Sequence, residues 1–222
     1  MIYKEKLLSD AAVKHVLNFY EFCKFRDGSH TGPKSKDIKY NLELFDEDHS
    51  LALNKMFLDE IKKNAILKNC FFPKKFSLPM FLKYDENMHY SFHNDHYEQS
   101  GVKTHYSVTV FLSDPSEYEG GELIIKMGNQ EMVYKEKPGM SIIYPTGLWH
   151  IVNNVTSGCR KVAVFWFQSI IDDPTIRDCC YDLSRIIYNS NENPEEYNIS
   201  TKQCLAIDNI KYKLMRVYGN FN

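Results

Sequence analysis

The sequence predicts an α+β protein with an all-β core: a double-stranded β-helix, the cupin-like jelly roll, flanked by N-terminal and C-terminal helices. Three observations carry this expectation. Between residues 77 and 170 the apolar residues alternate with polar ones or fall in short runs, the pattern of strands. Turn signals punctuate these runs at Gly101, Gly120–Gly121, Gly128–Asn129, Pro138–Gly139, Pro145–Thr146–Gly147 and Ser157–Gly158. Outside that window the apolar spacing becomes helical. About eight short strands with such turns fit a double-sheet roll better than a parallel sheet.

The elements follow in order within one expected domain, 1–222. Residues 1–76 read as N-terminal helices and a lid loop, 77–170 as the jelly-roll core, and 171–222 as C-terminal helices. Ser9 is placed to cap a helix whose Val13, Val16, Leu17 and Tyr20 recur at i, i+3, i+4 and i+7. The polar stretch FRDGSHTGPKSKDIKYN cannot be regular throughout, and Phe25–Asn41 is read as a lid over a substrate or as a plain solvated loop. A second helix is expected over about Ser50 to Leu67, with Leu53, Phe57 and Ile61 on one face. The strands are SLPMFLKY, HYSVTVFL, GGELIIK, EMVYKE, MSIIYP, LWHIVNN and KVAVFWFQS. Asp173 and Pro174 form an N-cap and first-turn pair for the C-terminal helices, which are expected to pack outside the β core.

Composition narrows the function. With 14 Phe and 15 Tyr in 222 residues, the chain has ample material for a core. A net charge of −2 gives no strong nucleic-acid signal. No apolar run is long enough for a membrane helix, and no signal peptide is visible. The six cysteines show no CxxC pairing and read as reduced thiols of a cytoplasmic protein, with Cys179–Cys180 as buried thiols. Gly120–Gly121 is a strand turn and not a phosphate loop, because no helix follows it.

The chemistry begins at SFHNDHYEQS. In a strand, His93 and Asp95 project to one face, where both can meet one ion. His150, in LWHIV several strands later, would complete a set of two histidines and one carboxylate, which suits ferrous iron with adjacent sites open. An HxD alone is weak in a chain with eight histidines, and His89, His96 and His105 are competing ligands. Arg160 changes the balance. It begins RKVAVFWFQS, where Arg160, Val162, Val164 and Trp166 share a face, so one cation lies in an apolar strip. A buried guanidinium needs an anion, and its fork suits a carboxylate. An internal Asp or Glu is the ordinary partner; an acidic cosubstrate is the one expected beside such a ligand set. Trp166 is read as a pocket wall or as a plain core aromatic.

The runs YDENMHYSFHND, SVTVFLSDPSEYEGGEL and SIIYPTGLWHIVNNVTSGCRKVAVFWFQSIIDD resemble those of the PKHD-type hydroxylases. These are relatives of the prolyl 4-hydroxylase catalytic subunit among the iron(II)- and 2-oxoglutarate-dependent dioxygenases. RDGSHTG and KYNLEL extend the likeness toward the N-terminus. Two departures border the substrate entrance: Asn87 stands where relatives usually carry glycine, and the loop from His96 to His105 is shorter and lacks an arginine. The resemblance implies that His93, Asp95 and His150 ligate Fe(2+) and that Arg160 clamps the distal carboxylate of 2-oxoglutarate. Tyr84 is the favoured hydroxyl partner of Arg160, with Tyr90, Thr109 and Tyr144 left open. It further implies O2 as cosubstrate, ascorbate as reductant, succinate and CO2 as co-products, and hydroxylation of a prolyl or lysyl residue in a peptide or protein. A free amino acid or other small molecule is the alternative substrate. A zinc or manganese cupin-like enzyme is a weaker expectation, since a hydrolase needs no second anion clamp. A non-catalytic binding module would not need three convergent ligands. Oligomeric state is not legible.

Overall fold

Two antiparallel sheets face one another in the computed structural model, which describes residues 1–32, 36–46 and 48–221. The larger sheet runs in the order Tyr3–Lys6, Met140–Pro145, Tyr106–Phe111, Arg160–Ser169, Met80–Tyr84, Leu42–Leu44, Phe25–Asp27. Pro73–Phe76 pairs with the far end of the long Arg160–Ser169 strand. The smaller sheet runs Gln130–Tyr134, Leu123–Met127, His150–Val152, His89–His93, Lys39–Tyr40. This is the expected jelly roll with helical additions.

The long central strands are buried on both faces, so their alternation sorts two cores. Val108, Val110, Phe165 and Phe167 point to a cluster with Val13 and Val16 of the first helix, Leu53, Phe57 and Ile61 of the second, and Phe71. Leu82, Tyr84, Phe111, Ile142, Tyr144 and Val162 point the other way, where they meet Leu123, Ile125 and Val152 of the smaller sheet. Tyr181 of the C-terminal helix Pro174–Glu192 joins the first of these clusters against Phe71, so these helices too pack outside the β core, as expected.

Local signals account for the helix ends. Ser9 Oγ accepts the Ala12 N–H at 3.2 Å and starts the helix Asp10–Phe22. Asp173 accepts the Ile176 N–H at 2.9 Å ahead of Pro174–Glu192. The second helix differs from its expected span. It ends at Lys63, and Asn64 turns extended to cap a separate helix, Ala65–Cys70, by accepting the Leu67 N–H at 3.0 Å. Asparagine competes for backbone hydrogen bonds and breaks the continuity that apolar spacing alone suggested.

Candidate active site

His93 and His150 are opposite partners across two antiparallel strands of the smaller sheet, and their rings lie 4.1 Å apart. Each imidazole is held in one tautomer by the carbonyl two residues before it. His93 Nδ1 lies 2.8 Å from the Ser91 carbonyl and His150 Nδ1 3.0 Å from the Leu148 carbonyl. The Nδ1–H is therefore the donor, and the Nε2 lone pair faces inward. Asp95 Oδ1 lies 3.9 Å from His93 Nε2 and 3.8 Å from His150 Nε2. Three ligand atoms thus converge at separations that one ion can bridge.

Asp95 does not arrive by the strand alternation that the sequence predicts. The strand ends at His93, and Asp95 lies just beyond it. Two donors from the larger sheet fix its carboxylate: Ser107 Oγ at 2.7 Å and Trp166 Nε1 at 2.9 Å, both to Oδ2. Oδ1 is left to face the histidines. Trp166 is therefore more than wall or core; its indole N–H orients the acid. Burial, reinforced by the neighbouring His150, pulls the His93 pKa down to about 4. A neutral imidazole is the form that ligates metals.

Tyr90 stacks on His93 with ring centroids 3.5 Å apart. Of the other histidines, His89 faces the Asp37 carbonyl, and His105 accepts the Ser169 N–H through Nδ1. His96 lines the cavity but lies outside the convergent set. A second grouping, Cys23, Asp46 and His49, is built differently. There Asp46 Oδ1 is committed to the N–H groups of Asp48 and His49 and to His49 Nδ1, which makes it a backbone cap.

Both histidines and Asp95 line a cavity of about 570 Å³ between the sheets. At its inner end Arg160 is 1% exposed, and Nε, Nη1 and Nη2 have no hydrogen-bond partner among the described residues. An orphaned buried guanidinium is costly unless an anion enters to meet it. Among the described residues, no acid fills that role. Tyr84 is the residue directly opposite Arg160 in register, with the guanidinium 5.0 Å from its ring. Burial raises the Tyr84 pKa and Arg160 opposes the rise, so the phenol keeps its proton and can donate. Tyr144, Tyr90 and Thr109 also line the cavity. Thr109 and Tyr144 lie on paired strands, and Tyr144 meets His150 edge-on at 5.1 Å.

Gly121 explains how Arg160 fits. Its φ is +66°, and a Cβ there would lie 3.1 Å from Arg160 Cδ and 3.0 Å from Val155 Cγ2. The glycine pair is a turn that admits the arginine, in keeping with the absence of a following helix. Asn87, noted as a departure from glycine, adopts φ +67°, a conformation asparagine tolerates.

The sequence reading missed part of the cavity. The sequence predicts a lid or a plain solvated loop over 25–41, and 33–35 of that stretch lie outside the described residues. Around them are strands Phe25–Asp27, Lys39–Tyr40 and Leu42–Leu44. Along KYNLEL the polar residues Lys39, Asn41 and Glu43 are all buried, at 3%, 0% and 8% exposure. Their strict alternation was the available signal, and it looks like an ordinary solvated strand face. Cys179 corrects a smaller expectation: it is exposed, while Cys180 is buried, because adjacent helical residues diverge by about 100°.

A jelly roll that gathers two histidines, one carboxylate and an unpaired buried arginine around one cavity defines the iron- and 2-oxoglutarate-dependent oxygenase class. Residues 79–168 match the model of the 2OG-Fe(II) oxygenase superfamily. A PKHD-type hydroxylase of Sphingopyxis alaskensis is 33% identical over 96% of this chain and 97% of its own. Another, from a Picosynechococcus species, is 32% identical over 89% of this chain and 92% of its own. The chain belongs to the PKHD-type hydroxylases and is a 2-oxoglutarate-dependent hydroxylase. Among solved structures, a prolyl-4-hydroxylase of Pseudomonas putida aligns with a TM-score of 0.53 at 15% identity, covering 75% of this chain and 92% of that one. A prolyl hydroxylase of Trichoplax adhaerens, solved with a peptide fragment, aligns with a TM-score of 0.52 at 14% identity, covering 82% and 86%. At these identities the likeness concerns the fold. No helix is long and apolar enough to cross a membrane among the described residues.

Proposed function

We propose that His93, Asp95 and His150 hold ferrous iron, that Arg160 and Tyr84 hold the distal carboxylate of 2-oxoglutarate, and that the enzyme hydroxylates a C–H bond of a prolyl or lysyl residue in a peptide or protein. The orphaned guanidinium of Arg160 is the observation that carries this reading. A two-histidine, one-acid cluster alone would suit several metals, but a buried cation awaiting a carboxylate in the same cavity suits a diacid cosubstrate.

When bound, iron, 2-oxoglutarate and O2 supply the oxidation: one oxygen atom enters the C–H bond, the other enters succinate, and CO2 leaves. The protein's own residues do the positioning. Ser91 and Leu148 carbonyls present both imidazoles through Nε2. Ser107 and Trp166 turn Asp95 so that Oδ1 is free. Arg160 and Tyr84 set the pose of the diacid from the inner end, and Leu82, Leu123, Val152 and Val162 exclude water around its chain. Fold-level kinship with prolyl hydroxylases supports a prolyl substrate. Ascorbate is the reductant and the cytoplasm the compartment in this reading; six free cysteines support a reducing setting.

Succinate release tests the function. Protein given ferrous iron, 2-oxoglutarate, ascorbate and air should form succinate faster when proline- or lysine-containing peptides are added, with a mass gain of one oxygen on the peptide. Succinate formation that no peptide stimulates, while a free amino acid does, would reject the peptide substrate but keep the chemistry.

A further inference from the structure

Lys39 is a buried cation that neither the iron ligands nor the diacid clamp uses. It lines the cavity at 3% exposure, on the short strand that pairs with the strand bearing His93. Its ammonium lies 5.3 Å from the centroid of the Tyr90 ring, which stacks on His93 at 3.5 Å. Nζ donates to the Thr31 hydroxyl at 3.0 Å, and among the described residues no carboxylate oxygen comes within 4.0 Å of it. The buried acid Glu43, on the next strand Leu42–Leu44, accepts from that same hydroxyl at 2.8 Å and is already paired with Arg26 at 3.4 Å. An ammonium has three donors, so two remain for the cavity.

Charge balance then favours an anion. In the loaded site, the two charges of iron and the one of Arg160 are matched by Asp95 and the two carboxylates of 2-oxoglutarate. Glu43, Asp95 and Asp27 favour the Lys39 charge from a distance. Glu43 pairs with Arg26, however, Asp27 pairs with Lys36, and Asp95 is counted against the iron. Lys39 is the cavity cation without an ion pair of its own among the described residues, which is costly when buried. We propose that Lys39, held in place by Thr31, binds a carboxylate of the substrate and so sets specificity in the part of the cavity beside Tyr90 and His93. The inference rests on the proposed oxygenase site. It narrows the substrate to one with a carboxylate near the oxidised carbon: a free amino acid or the terminal residue of a peptide.

The test is anaerobic calorimetry on the full chain loaded with iron and 2-oxoglutarate. Four probes distinguish the sources: L-proline and L-prolinamide, then acetyl-Gly-Pro with a free acid end and the same dipeptide as its amide. At least one acid should bind about tenfold or more tightly than its amide. In Lys39→Met that preference should vanish, while Lys39→Arg should keep part of it; both variants should bind 2-oxoglutarate as the parent does. An L-proline preference points to a free amino acid, and an acetyl-Gly-Pro preference to a peptide end. The proposal is overturned if acids and amides bind alike, if no acid binds, or if the preference survives in Lys39→Met. Failure of the parent to bind 2-oxoglutarate would overturn the oxygenase site itself, a separate and visible outcome.

Discussion

The two faces of the strands Tyr106–Phe111 and Arg160–Ser169 are both largely buried and opposite in character. On the helix side, Phe165 meets Phe57 edge-on at 5.8 Å and Phe167 meets Phe71 at 6.0 Å, with every contact supplied by the protein. On the cavity side, Ser107 and Trp166 orient a carboxylate that faces two imidazoles, and the Arg160 guanidinium has no hydrogen-bond partner among the described residues. Burial on the first face stabilises the fold by removing apolar surface from water. Burial on the second costs stability until ligands arrive. One backbone thus separates folding from chemistry by the parity of residue number.

Substitutions on each face can break that separation. The largest effect is expected from Asp95→Ala, which should abolish iron retention and 2-oxoglutarate turnover. Metal analysis after desalting checks this, and retained iron would dissolve the contrast. Next is Phe165→Ala, at a fully buried site on the helix side, which should cost about 3–5 kcal/mol of stability. Denaturant unfolding measures that loss. Affinity for 2-oxoglutarate, measured where the variant is folded, should be unchanged.

A third expectation concerns His105, at the end of the central strand. Burial, with Arg177 and Lys103 nearby, lowers its pKa to about 4, so the folded state favours the neutral ring. The unfolded chain keeps the ordinary value near 6.5. Stability from this group is therefore whole above pH 6.5 and is lost progressively as pH falls toward about 4, by up to about 3 kcal/mol. His105→Asn should flatten that slope in urea titrations; an unchanged slope would place the loss elsewhere. The smallest effect sharpens the cavity side. Trp166→Phe keeps an aromatic ring and deletes the donor to Asp95, so iron affinity should fall about 10–100-fold, with a smaller loss of stability than Phe165→Ala.

These contrasts also mark what could be read before coordinates. Strands with apolar or punctuated runs, such as MSIIYP and KVAVFWFQS, were legible because turns and alternation agree. Arg160 was legible because a lone cation in an apolar strip demands a reason. Asp95 was singled out for the right neighbours but by the wrong route, since hydrogen bonds from Ser107 and Trp166 place it, and contacts between distant strands leave no local trace. Lys39, Asn41 and Glu43 escaped notice because a polar face turned inward has the same sequence pattern as one turned to water. The break at Asn64 was missed because apolar spacing continues across it.

The central claim is that a cavity with an iron-binding set also holds a diacid through Arg160. Equilibrium dialysis of labelled 2-oxoglutarate against the iron-loaded protein, without oxygen, tests it most directly. The parent should bind the ligand only when metal is present, and Arg160→Met should keep its iron yet bind about a hundredfold more weakly, as loss of a paired ionic contact implies. Equal binding by parent and variant, or binding that ignores the metal, would contradict the account.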